Sequence, residues 1–220
     1  MVSRKNFIFG CSGHGKVIAE LADMLNLRID AFFDDNPQGK HFGKIPIYNS
    51  TEKLNFDANS YLIIAVGNNK IRKMLSERFN CFNLFTLIHS SAIISNSAKI
   101  DNGTVVMANV LVNAGAQIGK HVILNSASII EHDCIIEDFV HISPGVTLSG
   151  NIIIGEGTHI GSGAIVIPGV TIGKWCTIGA GTVVLQDVPD GATVVGNPGR
   201  IVKINNNYDI LKYEKIVDLK

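Results

Sequence analysis

The sequence predicts two domains of different class: a small Rossmann-like α/β unit over residues 1–86 and an all-β parallel β-helix over residues 87–202, followed by a tail, 203–220. Three observations carry this reading. From Ile88 to Val184 every sixth residue is Ile, Leu or Val, seventeen times without a break. Four residues after each stands a second small or β-branched residue, as at Ala92, Thr104, Cys134 and Thr182. Before residue 87 that period is absent, and apolar runs alternate with glycine- and asparagine-rich turns and helical spacing. An α-helix repeats at 3.6 residues and an ordinary strand at two, so an unbroken period of six is the mark of hexapeptides wound into a parallel β-helix.

In the first domain, Phe7–Phe9 reads as a strand that runs into the turn Gly10-Cys11-Ser12-Gly13-His14-Gly15. Lys16–Leu25 has helical spacing, with Val17, Leu21, Met24 and Leu25 on one side. Ile29–Phe33 is a second strand, closed by Asp34-Asp35-Asn36-Pro37. Tyr61–Val66 is a third, closed by Gly67-Asn68-Asn69, and Lys70–Phe79 a second helix. Such alternation builds a parallel open sheet whose ligands sit at the carboxyl ends of the strands, where these three polar turns collect. A Gly10-x-x-Gly13-x-Gly15 turn between strand and helix presents backbone N–H groups suited to a phosphate, although a tight turn alone would also explain it. It is not the dinucleotide fingerprint. Asp34, nineteen residues after Gly15, stands where an acidic side chain meets a ribose hydroxyl, and the combination favours a nucleoside diphosphate.

In the second domain three hexads make one triangular coil of eighteen residues, so seventeen hexads give between five and six coils. Position two of most hexads is Gly, Asn, Ser or Glu and reads as the turn. Residues eighteen apart stack: His132 beneath Gly150 and Pro168, His141 beneath His159, and Asn125, Ser143, Gly161 and Gly179 in one column. His132 is followed by Asp133, and a carboxylate beside an imidazole can hold one tautomer and raise its basicity, as a general base requires. A corner histidine on a surface is equally compatible with no function at all. The flat faces of such a prism predict self-association, as a trimer. Residues 203–220 read as a tail or a short capping helix.

Composition excludes several classes. The chain has 19 basic and 19 acidic residues, which argues against a nucleic-acid surface, since that affinity rests on clustered Lys and Arg. The four cysteines form no C-x-x-C pair, and Cys134 and Cys176 fall at the small inward hexad position, as packing thiols do. The repeat histidines 89, 121, 132, 141 and 159 are never five apart, unlike the His-x4-His pair of zinc-binding β-helix enzymes, and no metal is expected. No leader and no apolar run of about 18 residues opens or crosses the chain, so a cytoplasmic protein without a transmembrane segment is expected.

Up to about Arg200 the chain resembles the hexapeptide-repeat acetyltransferases that modify nucleotide-linked sugars, in particular the bacillosamine-pathway N-acetyltransferases, with perosamine N-acetyltransferases and sialic acid O-acetyltransferases as neighbouring groups. The residues that carry the resemblance are Gly10–Gly15, Asp34-Asp35, Val66-Gly67-Asn68-Asn69-Lys70-Ile71-Arg72, Leu124-Asn125-Ser126, Ile130-Glu131-His132-Asp133, His141-Ile142-Ser143 and Gly196-Asn197-Pro198-Gly199-Arg200. The resemblance implies a left-handed β-helix, a homotrimer, and acetyl-CoA lying between neighbouring prisms. It implies that His132 takes the proton from a sugar 4-amino group as that nitrogen attacks the thioester, and that Asp133, where the family pattern reads Glu, orients the imidazole. The Gly150 N–H would hold the oxyanion. Asn125 and His141 would line the acceptor site, with Ser12, Gly13 and His14 on the diphosphate and Asp34, Asp35, Gly67 and Asn68 around the nucleotide-sugar. Gly150, Ser143, Gly161, Pro198 and Arg200 would contact acetyl-CoA. O-acetylation of a sialic acid and a non-enzymatic nucleotide-sugar sensor are the competing expectations.

Overall fold

The computed structural model describes residues 4–50 and 59–206. The predicted tail therefore lies largely outside the described residues. The first domain is a six-stranded sheet: β1 (Lys5–Phe9), β2 (Ala31–Asp34), β3 (His41–Phe42), β4 (Ile45–Asn49), β5 (Ser60–Ile64) and β6 (Asn83–Leu84), in the order β3-β4-β2-β1-β5-β6. Every pairing is parallel except β3 with β4. Helix α1 (Gly13–Met24) and helix α2 (Asn69–Arg78) cover opposite faces. Strand alternation explains this. Ile8, Phe32 and Ile63 share one apolar cluster with α1, whereas Phe7, Phe9, Phe33, Leu62 and Ile64 pack with Leu75 of α2.

Two sequence expectations change here. Helix α1 begins three residues earlier than its apolar spacing suggests, with Ser12 as N-cap in extended conformation. Its buried face is Ile18, Ala19, Leu21 and Ala22, whereas Val17 and Met24 are exposed. Small alanines on the inner side let the helix sit close to the sheet, and the larger Val17 and Met24 are turned outward. Gly15 is part of the same close approach: a Cβ there would lie 2.0 Å from the Gly10 carbonyl oxygen.

From Leu87 the chain winds as a triangular parallel β-helix. Its first face carries Leu87–Ile88, Val105–Val106, Ile123–Leu124, His141–Ile142, His159–Ile160, Thr177–Ile178 and Ala192–Val195, closed by the antiparallel strand Arg200–Ile204. The second face runs from Ile93–Ile94 to Val183–Val184 in six strands, and the third from Lys99–Ile100 to Thr171–Ile172 in five. Pairings between coils join residues eighteen apart, as in Ile130 with Leu148 and His141 with His159, until the last coil, where Thr177 pairs with Thr193 and Ile178 with Val194, sixteen apart. The inward hexad residues from Val106 on are buried, and Cys134 and Cys176 are among the fully enclosed small ones.

The turn lies elsewhere than position two. The left-handed backbone conformation recurs at position four, at every sixth residue from Gly103 to Gly181. It includes non-glycine residues such as Asn109, Ala127, Asp133 and Trp175. One such residue per hexad redirects the chain at each corner. At the carboxyl end, the strand Arg200–Ile204 crosses the boundary expected at 202 and stands in place of the start of a capping helix.

The two domains join through α2. Arg72, 1% exposed, donates from Nε to the His121 carbonyl at 2.8 Å and from Nη2 to the Phe139 carbonyl at 2.7 Å. Asn69 donates to the carbonyls of Gly157 and Thr158, and Lys73 pairs with Glu156. The outward residues of the first face, Leu87, Val105 and Ile123, are buried beneath the first domain.

Candidate active site

His132 and Asp133 stand on the corner where the second face turns into the third. The imidazole Nδ1 lies 2.9 Å from Asp133 Oδ2, and both side chains are open to solvent, 60% and 67% exposed. Asp133 adopts φ +58°, a conformation that Asp tolerates better than most residues. From that backbone the shorter carboxylate reaches its neighbour, so Glu is not required.

Glycines bracket the pair. A Cβ on Gly150, one coil above, would fall 2.4 Å from His132 Nε2, and a Cβ on Gly115, one coil below, would fall 2.5 Å from Asp133 Oδ1. The ring therefore stands in space that only glycine leaves free. Among the described residues the Gly150 N–H donates to no group of the chain, while its carbonyl accepts from Gly169. A backbone N–H with no partner in the chain, one coil from an imidazole, is a donor still open to a ligand.

A second group of expected residues lies on the first face, away from His132. Asn125 Nδ2 is 3.3 Å from His141 Nε2, and the His141 and His159 rings stack with centroids 4.9 Å apart. Helix α1 brings His14 toward this stack, and its Nε2 is buried with no partner among the described residues. An orphaned polar atom in that position is available to a ligand. Burial first, then the charges of His159, Arg72 and His14, lowers the His141 pKa to about 3. Burial, then Arg72, lowers that of His14 to about 4. Beside the stack a cleft of about 220 Å³ opens between Gly67–Lys70 and His159, Trp175 and Thr177.

The remaining expected residues divide by location. Ser12 and Gly13 are exposed at the start of α1, and the Ser12 hydroxyl makes no capping bond. Asp34 accepts from the backbone N–H groups of Cys11 and Asn36 at 2.8 and 2.9 Å, tying the glycine turn to the next strand end. Asp35 pairs with Arg78. Gly67 is exposed, while Asn68 caps α2 by accepting from the N–H groups of Lys70 and Ile71. Ser143 is 5% exposed and bonds His159 Nε2 at 2.8 Å, and Gly161 is buried between coils. Pro198 and Arg200 are exposed at the far end of the prism. Sequence reasoning left Arg72 without a role. Its only signal there was its place in the Gly67-Asn68-Asn69-x-x-Arg72 run.

Residues 5–79 match the family described as PglD N-terminal domain, and residues 151–186 match bacterial transferase hexapeptide (six repeats). The acetyltransferase domain of PglB from Neisseria gonorrhoeae FA1090, in complex with acetyl coenzyme A, is 43% identical. It aligns with a TM-score of 0.85 over 91% of this chain and 100% of that one. The chain belongs to the hexapeptide-repeat sugar N-acetyltransferases. PerB from Caulobacter crescentus in complex with CoA and GDP-perosamine is 32% identical, with a TM-score of 0.84, and covers 92% of this chain and 99% of that one. The UDP-N-acetylbacillosamine N-acetyltransferase of Bacillus subtilis (strain 168) is 44% identical over 108 residues, 46% of this chain. That match spans 50% of the relative's own length. The left-handed parallel β-helix and the α/β unit implied by the resemblance are those of this family.

A pH dependence follows from the buried rings. His121, like His14, has its pKa lowered to about 4, again by burial first. Above about pH 6.5 these histidines are neutral whether the chain is folded or not. Below it the unfolded chain binds protons that the folded one does not, so stability falls as pH drops toward about 4, by about 2 kcal/mol per ring near pH 5. The loss levels off once the folded rings protonate, His141 last. Denaturant melts at pH 7.5, 6 and 5 check this, and a midpoint unchanged over that range would contradict it.

Proposed function

We propose that the protein is an acetyl-CoA-dependent N-acetyltransferase acting on the 4-amino group of a nucleotide-linked 4-amino-4,6-dideoxy sugar, either a UDP-linked bacillosamine precursor or GDP-perosamine. The observation that carries this is the His132–Asp133 pair beneath the unoccupied Gly150 N–H. The amine nitrogen attacks the thioester carbonyl while His132 takes its proton, and Asp133 balances the charge formed on the ring. The oxyanion rests on the Gly150 N–H. As the C–S bond breaks, the imidazolium proton goes to the CoA sulfur. Transfer is direct: Cys134, two residues from His132, is 0% exposed, and burial raises its pKa.

A base must come within about 3 Å of the proton it removes. In one chain His132 stands on a different corner of the prism from Asn125 and His141. Two copies resolve this, one supplying His132, Asp133 and Gly150, the next supplying Asn125, His141 and the turns at Ser12–His14, Asp34-Asp35 and Gly67-Asn68. The second face supports such an assembly, because its outward column includes Ile93, Leu111, Ile129, Ile165 and Val183, with Ile93 68% exposed. We propose a homotrimer, with acetyl-CoA between prisms along Gly150 toward Pro198 and Arg200. Ser143 and Gly161 would shape that groove rather than touch the cofactor from an open surface. Among the described residues no helix is long and apolar enough to cross a membrane. We assign the reaction to the cytoplasm.

Incubating the protein with acetyl-CoA and a panel of UDP- and GDP-linked 4-amino sugars, plus free sialic acid, tests the assignment by release of CoA thiol. Thiol release with a 4-amino sugar, and a mass gain of one acetyl on nitrogen, is expected. Release with sialic acid alone would transfer the reading to O-acetylation, and release with none would favour a sensor.

A further inference from the structure

We propose that the cleft beside Trp175 is a subsite for the substituent at C2 of the acceptor sugar, and that it takes a 2-acetamido group in preference to a 2-hydroxyl. This deepens the functional reading above and rests on it, since that reading places the C4 nitrogen of the acceptor beside His141.

The β-helix builds the cleft and α2 closes it. The outward residues of the first face rise in one column through His141, His159 and Thr177, each about 4.8 Å above the last. Trp175 flanks this column on the corner where the third face turns into the first. Its ring lies over the Gly157 backbone one coil below, where a Cβ would stand 2.3 Å from the indole. From the first domain, the ammonium groups of Lys70 and Lys73 lie 6.0 and 5.7 Å from the ring centroid, within reach of a cation–π contact. Asn69 holds the α2 turn on the same corner through the Gly157 and Thr158 carbonyls. The walls are therefore in place before a ligand arrives, which lowers the cost of binding.

The lining selects by chemistry. Among the described residues Lys70 borders the cleft and no carboxylate does, so a second ammonium is disfavoured there. Asn68 commits its side-chain oxygen to the N–H groups of Lys70 and Ile71 and keeps its NH2 as a donor. Among the described residues the indole N–H of Trp175 and the hydroxyl of Thr177 have no partner in the chain. Donors around an aromatic ring suit an amide carbonyl whose methyl group rests on the indole. Size points the same way: the cleft of about 220 Å³ has room for about seven waters at about 30 Å³ each, of which a hydroxyl would replace one. Spacing agrees too. Equatorial substituents at C2 and C4 of a pyranose are about one coil step apart, about 4.8 Å. A sugar with its C4 nitrogen at His141 thus brings an equatorial C2 substituent beside His159, at the mouth of the cleft.

Trp175 is the single tryptophan of the chain, so its emission reports occupancy of the cleft without CoA and without turnover. The wild-type protein is titrated with UDP- and GDP-linked 4-amino-4,6-dideoxy sugars that differ only at C2, acetamido against hydroxyl, and with UDP and GDP alone. A 2-acetamido sugar is expected to shift the emission and to bind at least about tenfold more tightly than its 2-hydroxy counterpart. The free nucleotides are expected to leave the emission unchanged. Thr177→Leu, at an exposed strand position, fills the mouth of the cleft. It should raise the KM of the 2-acetamido acceptor about tenfold or more, while the KM values of the 2-hydroxy acceptor and of acetyl-CoA stay within about threefold. Equal affinity for the two sugars, an equal response to free nucleotide, which would make the cleft a diphosphate site, or no response to the 2-acetamido sugars overturns the proposal. The titration stands even if Thr177→Leu fails to fold. An emission shift without release of CoA counts against the proposed function and not against the subsite. Release of CoA from a 2-acetamido sugar without an emission shift counts against the subsite and leaves the function standing.

Discussion

Replacing His132 with alanine is expected to lower kcat by about two to four orders of magnitude, the range general-base catalysis contributes. The Michaelis constants for acetyl-CoA and for the amino sugar should stay within about threefold, since the ring makes its decisive interaction only as the N–H bond breaks. The fold should be indifferent. The side chain is 60% exposed on a corner, and its backbone carbonyl still accepts from Asn151. Residual acetylation is expected to persist, because the Gly150 N–H and the bound geometry remain. Steady-state kinetics on the folded variant check this, and near-normal turnover would remove His132 from the mechanism.

Gly150→Ala is expected to be nearly as damaging without removing any catalytic group. The new methyl would stand 2.4 Å from His132 Nε2, the atom we propose receives the proton. Either the imidazole swings away and leaves Asp133, or the coils part and the N–H no longer sits over the thioester. A misplacement of about 1 Å is enough to cost about a hundredfold. The mutation leaves the buried neighbours Leu148 and Ile152 in place, so thermal stability should fall far less than activity. A crystal structure of the variant should show the ring displaced. A variant with an unmoved ring and full activity would mean that the space above His132 is not constrained as described.

Much of the fold was legible because it is periodic. Eighteen-residue stacking put His132 beneath Gly150 and His141 beneath His159, and the strand register agrees at both places. Features set by contacts between unlike elements were harder to read. Helix α1 turns Val17 and Met24 to solvent because small residues suit its approach to the sheet, which its own spacing does not encode. The corner residue is position four, occupied by types as different as Gly, Asp and Trp, so no single residue type marks it. Arg72 stayed hidden for the same reason: its partners are backbone carbonyls 49 and 67 residues away, and carbonyls leave no trace in sequence. The separation of His132 from His141 was legible in principle, since nine residues are half of an eighteen-residue coil, but the period says nothing about which corner faces a neighbouring prism.

That separation yields the most direct test of a site completed between copies. His132→Ala and His141→Ala proteins, each of low activity, are unfolded together in denaturant, mixed in equal amounts and refolded. If each active centre takes His132 from one chain and His141 from the next, about a quarter of all sites after random reassembly regain both wild-type residues, and activity rises to about that fraction of wild type. If both residues serve a site within one chain, mixing restores nothing above the average of the two parents, and the account of the active centre is contradicted.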